Sequence, residues 1–201
     1  MKIGVLGGTF DPVHLGHIAM AEEAQKVLGL EEVILVPAGQ PVYKSDRKIA
    51  PPEDRLKMLQ LAAKGKPYLK VSTIEIERPG PSYTIDTIVE LKKQYGVVAE
   101  IYFILGWDSL GQIGEWRKPE RIVAMCYLVV VPRPGWPQPV VDALEKEVPG
   151  IAGKLIFLEK PRLDISATAI RKMAGSGESI DRLVPAPVAA YIKKQQLYVK
   201  Q

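Results

Sequence analysis

The chain has 201 residues, 47% apolar and 25% charged, which suits one globular domain with its own core and excludes a peptide scaffold. Its 27 basic and 23 acidic residues leave a net charge of +4, with no basic cluster longer than a pair such as Lys92-Lys93 or Lys193-Lys194. That balance favours a small anionic substrate and argues against nucleic acid, and no apolar run approaches the roughly 20 residues that span a membrane. The single cysteine, Cys126, cannot close an intrachain disulfide, so the chain reads as cytoplasmic.

In chain order, Lys2 to Leu6 reads as a first strand, because it runs into Gly7-Gly8 without the longer apolar core of a secretory signal. Gly16 to Leu28 follows as a helix, with Met20, Ala24, Val27 and Leu28 at helical spacing and Gly29 as its stop. Further strands are expected at Glu32 to Pro37, Leu69 to Ile76, Glu100 to Leu105, Tyr127 to Pro132 and Lys154 to Leu158, mostly short apolar runs of the kind buried on both faces of a parallel sheet. Between and after them, helices fit Pro52 to Ala63, Thr84 to Tyr95, Pro119 to Ala124, Pro139 to Lys146, Ser166 to Gly175 and Pro187 to Gln196. This alternation, without repeats or low-complexity linkers, predicts a single α/β domain over 1–201 whose C-terminal part, from about residue 163, is helical. Ligands of such sheets bind beyond the carboxyl ends of the strands.

Two clusters carry chemistry. The loop after the first strand, Gly7-Gly8-Thr9-Phe10-Asp11-Pro12-Val13-His14-Leu15-Gly16-His17, brings both histidines of the chain to a helix start, where glycines allow close approach and free amides favour phosphate. It is neither the dinucleotide G-x-G-x-x-G fingerprint nor a Walker loop. The second cluster, Asp164-Ile165-Ser166-Ala167-Thr168-Ala169-Ile170-Arg171, follows the last expected strand and lets hydroxyls, amides and a guanidinium converge on a polyphosphate. Taken alone, the second cluster also reads as an ordinary capped helix.

His-x-Gly-His at one end and Ile-Ser-x-Thr-x-Ile-Arg at the other resemble the nucleotidyltransferase superfamily, specifically nicotinate-nucleotide adenylyltransferase. Ser82-Tyr83-Thr84-Ile85-Asp86-Thr87, Gly106-Trp107-Asp108, Trp116 and the ending with Leu197-Tyr198 extend the likeness over the whole chain. Similar enzymes often read Pro-Pro-His-Lys where this chain has Pro41-Val42-Tyr43-Lys44, so Tyr43 stands in place of the usual histidine.

The resemblance implies a Rossmann-like, doubly wound parallel sheet and adenylyl transfer from ATP to nicotinate mononucleotide. Mg²⁺ would arrive on the triphosphate, with no protein metal ligand assigned. It further implies His14, His17, Lys44 and Arg171 as catalytic residues. Gly7, Gly8, Thr9, Phe10, Asp108, Ile165, Ser166 and Thr168 would join His14, His17 and Arg171 in binding ATP. Lys44, Tyr83, Thr84 and Trp116 would bind the mononucleotide. Asp108 suits either a ribose hydroxyl or a turn cap, and Trp116 either a stacked pyridinium or a core aromatic. The oligomeric state is left open, a homo-oligomer included.

Overall fold

The computed structural model describes residues 1–42 and 49–199. In chain order its elements are β1 (Lys2–Gly8), α1 (Leu15–Leu28), β2 (Glu32–Pro37), β3 (Gln40–Pro41), α2 (Pro52–Ala63), β4 (Leu69–Val71), α3 (Ile74–Glu77), β5 (Pro81–Ser82) and α4 (Thr84–Tyr95). They continue with β6 (Glu100–Gly106), α5 (Trp107–Leu110), α6 (Pro119–Met125), β7 (Cys126–Val131), α7 (Val141–Glu147), β8 (Leu155–Phe157), α8 (Ala167–Gly175) and α9 (Ala186–Lys194). Six strands form one sheet in the order β4-β2-β1-β6-β7-β8, and every pairing in it is parallel. This is the 3-2-1-4-5-6 order of the doubly wound fold, with β1 at the centre.

Alternate residues of each strand feed opposite faces, as strand geometry requires. Leu6, Val33, Leu35, Ile104 and Val129 pack under α1, α2, α8 and α9, whereas Val5, Ile34, Val36, Phe103 and Val130 pack under α4, α6 and α7. Full burial of each such side chain stabilises by roughly 1.5–3 kcal/mol, so the two layers hold the central strands from both sides. α1 ends where expected, at Gly29, whose φ of 61° is the left-handed conformation that glycine adopts freely.

The expected strand Leu69 to Ile76 is corrected. Only Leu69–Val71 pairs with β2, and Ile74–Glu77 turns into a short helix. The segment Thr73-Ile74-Glu75-Ile76-Glu77 alternates polar and apolar residues and so mimics a strand. As a helical turn it lets the Thr73 hydroxyl reach the Glu77 carboxylate at 2.7 Å and buries Ile74 in the layer under α4. The small β3–β5 pair and α5 are additions that periodicity over two to four residues does not reveal.

Candidate active site

β1 and β6 are neighbours at the sheet centre, but the chain leaves them toward opposite edges, so their carboxyl ends flank the crevice where ligands of this fold bind. A cavity of about 380 Å³ opens there. Gly7, Gly8, Thr9 and His17 line one part of it, and Tyr83, Thr84, Asp108 and Trp116 line another. Part of the expected ATP site and part of the expected mononucleotide site therefore share one cavity, whereas His14 and Phe10 are not among its lining residues.

His14 is the residue before α1, and its backbone N–H donates to Nδ1 of His17 at 3.2 Å. That bond leaves the N–H of a neutral His17 on Nε2. The rings stack with centroids 3.7 Å apart, and the edge of Phe10 meets His17 at 4.9 Å. The Phe10 side chain is itself buried, and its φ of 50° turns the loop. His14 is only 6% exposed, and burial, with Arg133 as a second cause, lowers its pKa to about 4. Gly16 makes this packing feasible, because a Cβ there would stand 3.0 Å from Nδ1 of His14.

The α8 cluster docks onto the same loop. Ser166 caps α8 by accepting from the Ala169 N–H at 3.1 Å. Arg171 donates from Nη1 to the Asp11 carbonyl at 2.7 Å and from Nη2 to the Thr168 hydroxyl at 3.0 Å. Ile165 lies against Gly16, its Cβ 3.8 Å from where a Gly16 Cβ would stand. Ile165, Ser166, Thr168 and Arg171 border the first loop from outside the cavity lining. Lys44 lies outside the described residues.

In the part of the cavity near Thr84 no side chain caps α4: the Asp86 N–H donates to the Tyr83 carbonyl at 3.1 Å, while the amides of Thr84 and Ile85 have no side-chain cap and sit at the positive end of the helix dipole. The Arg117 guanidinium lies 4.6 Å over the Tyr83 ring, and Trp116 meets Phe103 edge-on at 5.9 Å. The Ser82 hydroxyl accepts from the N–H groups of Gly39 and Gln40, at 3.0 and 3.3 Å, tying the loop after β2 to the start of α4. Asp108 opens α5 and faces Arg133 at 3.5 Å, while its other oxygen is buried without a hydrogen bond among the described residues.

Four residues escaped the sequence reading. Arg133, two positions beyond β7, and Arg117 line the cavity, and for Arg133 the signal was its place past a strand's carboxyl end. Glu75 also lines it, and burial raises its pKa while it accepts a hydrogen bond from Thr87. Arg55, 1% exposed, donates to the carbonyls of Thr9, Ala38, Gly39 and Ala50 and so braces the loops after β1 and β2 together. The Cys126 thiol is buried, with its pKa pushed up to about 12, so it offers no thiolate near neutrality. Among the described residues no group of three or more His, Cys, Asp or Glu is assembled for a metal ion, and no helix is long and apolar enough to cross a membrane.

A cavity walled by helix-start residues, the His17 imidazole and the guanidinium groups of Arg117 and Arg133 fits phosphate chemistry, and comparison with known proteins narrows the class. Residues 5–173 match the family described as Cytidylyltransferase-like, so the protein is a nucleotidyltransferase. A protein of Dehalococcoides mccartyi called probable nicotinate-nucleotide adenylyltransferase is 49% identical over 201 residues, covering 100% of this chain and 98% of its own. The fold also matches structures of Plasmodium falciparum nicotinic acid mononucleotide adenylyltransferase complexed with APC and with NaAD. Each has a TM-score of 0.77, at 19% and 20% identity; both cover 98% of this chain, and 96% and 97% of their own. The chain belongs to the nicotinate-nucleotide adenylyltransferases, enzymes of NAD biosynthesis.

Proposed function

We propose that this cytoplasmic enzyme joins ATP and nicotinate mononucleotide into nicotinate adenine dinucleotide with the following division of labour. The single observation that carries the reading is the shared enclosure of His17 and the glycine loop with Thr84 and Trp116 at the switch point of the sheet. The NaAD held by the Plasmodium relative supports it, being the product such an enclosure would contain.

A phosphate oxygen of the mononucleotide attacks the α-phosphorus of ATP; the bond from that phosphorus to the bridging oxygen breaks, and pyrophosphate leaves. The nucleophile is already ionised at neutral pH, so no general base is needed, and the enzyme's task is alignment and charge stabilisation. Mg²⁺ enters as part of the substrate, MgATP, held by phosphate oxygens.

The Nε2–H of His17 and the ring of His14 donate to the α- and β-phosphates. Arg171 and Lys44 supply positive charge to the triphosphate, and Ser166 and Thr168 add hydrogen bonds. Gly7, Gly8, Thr9 and the Phe10 and Ile165 backbones pass close to the nucleotide, and Asp108 takes a ribose hydroxyl with its unpartnered oxygen. On the acceptor, the first amides of α4 and the Thr84 hydroxyl receive the nicotinate carboxylate beside Tyr83. Trp116 stacks on the cationic pyridinium.

Pyrophosphate release, followed with ATP, Mg²⁺ and either nicotinate or nicotinamide mononucleotide, tests this reading. The amide loses at least one charge-assisted hydrogen bond, about 1.5 to 3 kcal/mol, so kcat/KM should favour the acid by roughly tenfold to a hundredfold. Equal values would overturn the acid assignment, and silence with both would overturn the transfer itself.

A further inference from the structure

Beyond α9 the chain makes a second contact with the loop after β1. The Tyr198 hydroxyl donates to Oδ1 of Asp11 at 2.9 Å, across a separation of 187 residues. Asp11 is buried in the middle of that loop, between Phe10 and His14. Its Oδ1 also accepts from the Ala50 N–H at 3.3 Å, and its Oδ2 stands 3.8 Å from Nη1 of Arg171, the same nitrogen that donates to the Asp11 carbonyl. One residue thus receives the phenol on one side and the guanidinium on the other.

The tail that carries the phenol is not in a relaxed conformation. Gln196 and Tyr198 have φ of 51° and 70°, left-handed backbone that non-glycine residues hold only when their surroundings impose it. The surroundings are specific. The Leu197 N–H donates to the Ile192 carbonyl at 3.0 Å, and the Tyr198 carbonyl abuts Gly175, where a Cβ would lie 2.8 Å from it. Tyr198 therefore touches the end of the helix that carries Arg171 and, through its ring, the loop that Arg171 grips. Burial and the Asp11 carboxylate keep the phenol protonated well above its ordinary range, so it remains a donor throughout the working pH range.

We propose that Tyr198 is a positioning residue, which fixes Asp11 and through it the Arg171 guanidinium for the phosphates of ATP. The inference rests on the reading of Arg171 as a phosphate ligand. A tail that only packed would alter the melting temperature and leave substrate affinities alone, whereas a positioning residue acts on one substrate selectively.

The test uses the full-length protein as Y198F, R171A and the double variant, with KM measured for each substrate and melting measured in parallel. Y198F keeps the ring and removes the donor. It should raise the KM for ATP by roughly threefold to thirtyfold, the span for loss of one hydrogen bond to a neutral or charged partner, with the KM for nicotinate mononucleotide within about twofold of the parent. In the R171A background the same substitution should add less than about twofold, because the group it positions is gone. If R171A raises the KM for ATP and Y198F does not, the phosphate grip stands and the role of Tyr198 is overturned, whatever its melting temperature. Equal factors in both backgrounds overturn the route through Arg171. An R171A enzyme with unchanged ATP affinity removes the grip and this proposal together.

Discussion

His14 and His17 stand three residues apart but in different surroundings, His14 buried and His17 at the cavity. His17 lines the cavity and accepts from the His14 N–H on Nδ1, so a neutral ring carries its proton on Nε2, the donor that the proposed reading assigns to the phosphates. Replacing it, His17→Ala, should lower kcat by roughly 10² to 10³, the usual loss for one preorganised donor, with the fold intact by circular dichroism. Turnover near the parent value would make His17 structural. His14 should show its burial in stability as well as in catalysis. Its folded pKa of about 4 lies below the ordinary 6.5, so the unfolded chain takes up a proton that the folded chain refuses as pH falls between those values. Stability is lost across that window and the loss levels off below about pH 4. Between pH 7.5 and 5 the His14 contribution is about 2 kcal/mol, and His14→Gln should remove that part of the acid loss in urea titrations. Parallel pH dependence in parent and variant would show that His14 does not govern this window.

At the scale of elements, the proposed reading puts substrate choice at α4. Its first turn lacks a side-chain cap, and Thr84 opens it on the cavity. Thr84→Val should therefore erode the preference for the acid mononucleotide by removing one hydroxyl, while Trp116→Ala should weaken acid and amide alike, since stacking does not read the ring substituent. Ratios of kcat/KM for the two mononucleotides distinguish these outcomes, and an unchanged ratio in Thr84→Val would move carboxylate recognition elsewhere. The start of α4 was legible in the sequence because Pro79-Gly80-Pro81 stops one segment and Thr84 begins a clear helical period. The ends of β1, β2, β6 and β7 were legible for a related reason, as short continuous apolar runs meet glycine or proline. Thr73 to Glu77 was misread because five residues cannot separate a period of 2 from a single helical turn. Arg55 was hidden differently. On a helix with charged neighbours such as Glu53, Asp54 and Lys57 it looks like one more solvated cation, and only the fold reveals the carbonyls it reaches.

Across the whole molecule, the loops after β1 and β2 are joined through that one buried guanidinium. Arg55→Met would fill similar space and leave the carbonyls of Thr9 and Ala38 without their donor, a cost of about 3 kcal/mol or more when two buried acceptors lose their partner. For a domain of this size that corresponds to a melting temperature lower by roughly 6 to 12 °C, and a variant melting within about 2 °C of the parent would mean that water replaces the guanidinium. The Tyr198–Asp11 bond spans even more of the chain and has a consequence in time. Synthesis proceeds from the N-terminus at about 5 to 20 residues per second, so Tyr198 is made about 10 to 40 s after Asp11. A ribosome-bound chain completes β1, α1 and β2 early, with both histidines already in sequence. Its Asp11 meets the phenol only after the residues between them, α9 included, have been made. The loop after β1 thus acquires its full set of contacts only once Tyr198 has been made, which ties its final geometry to a residue synthesised much later.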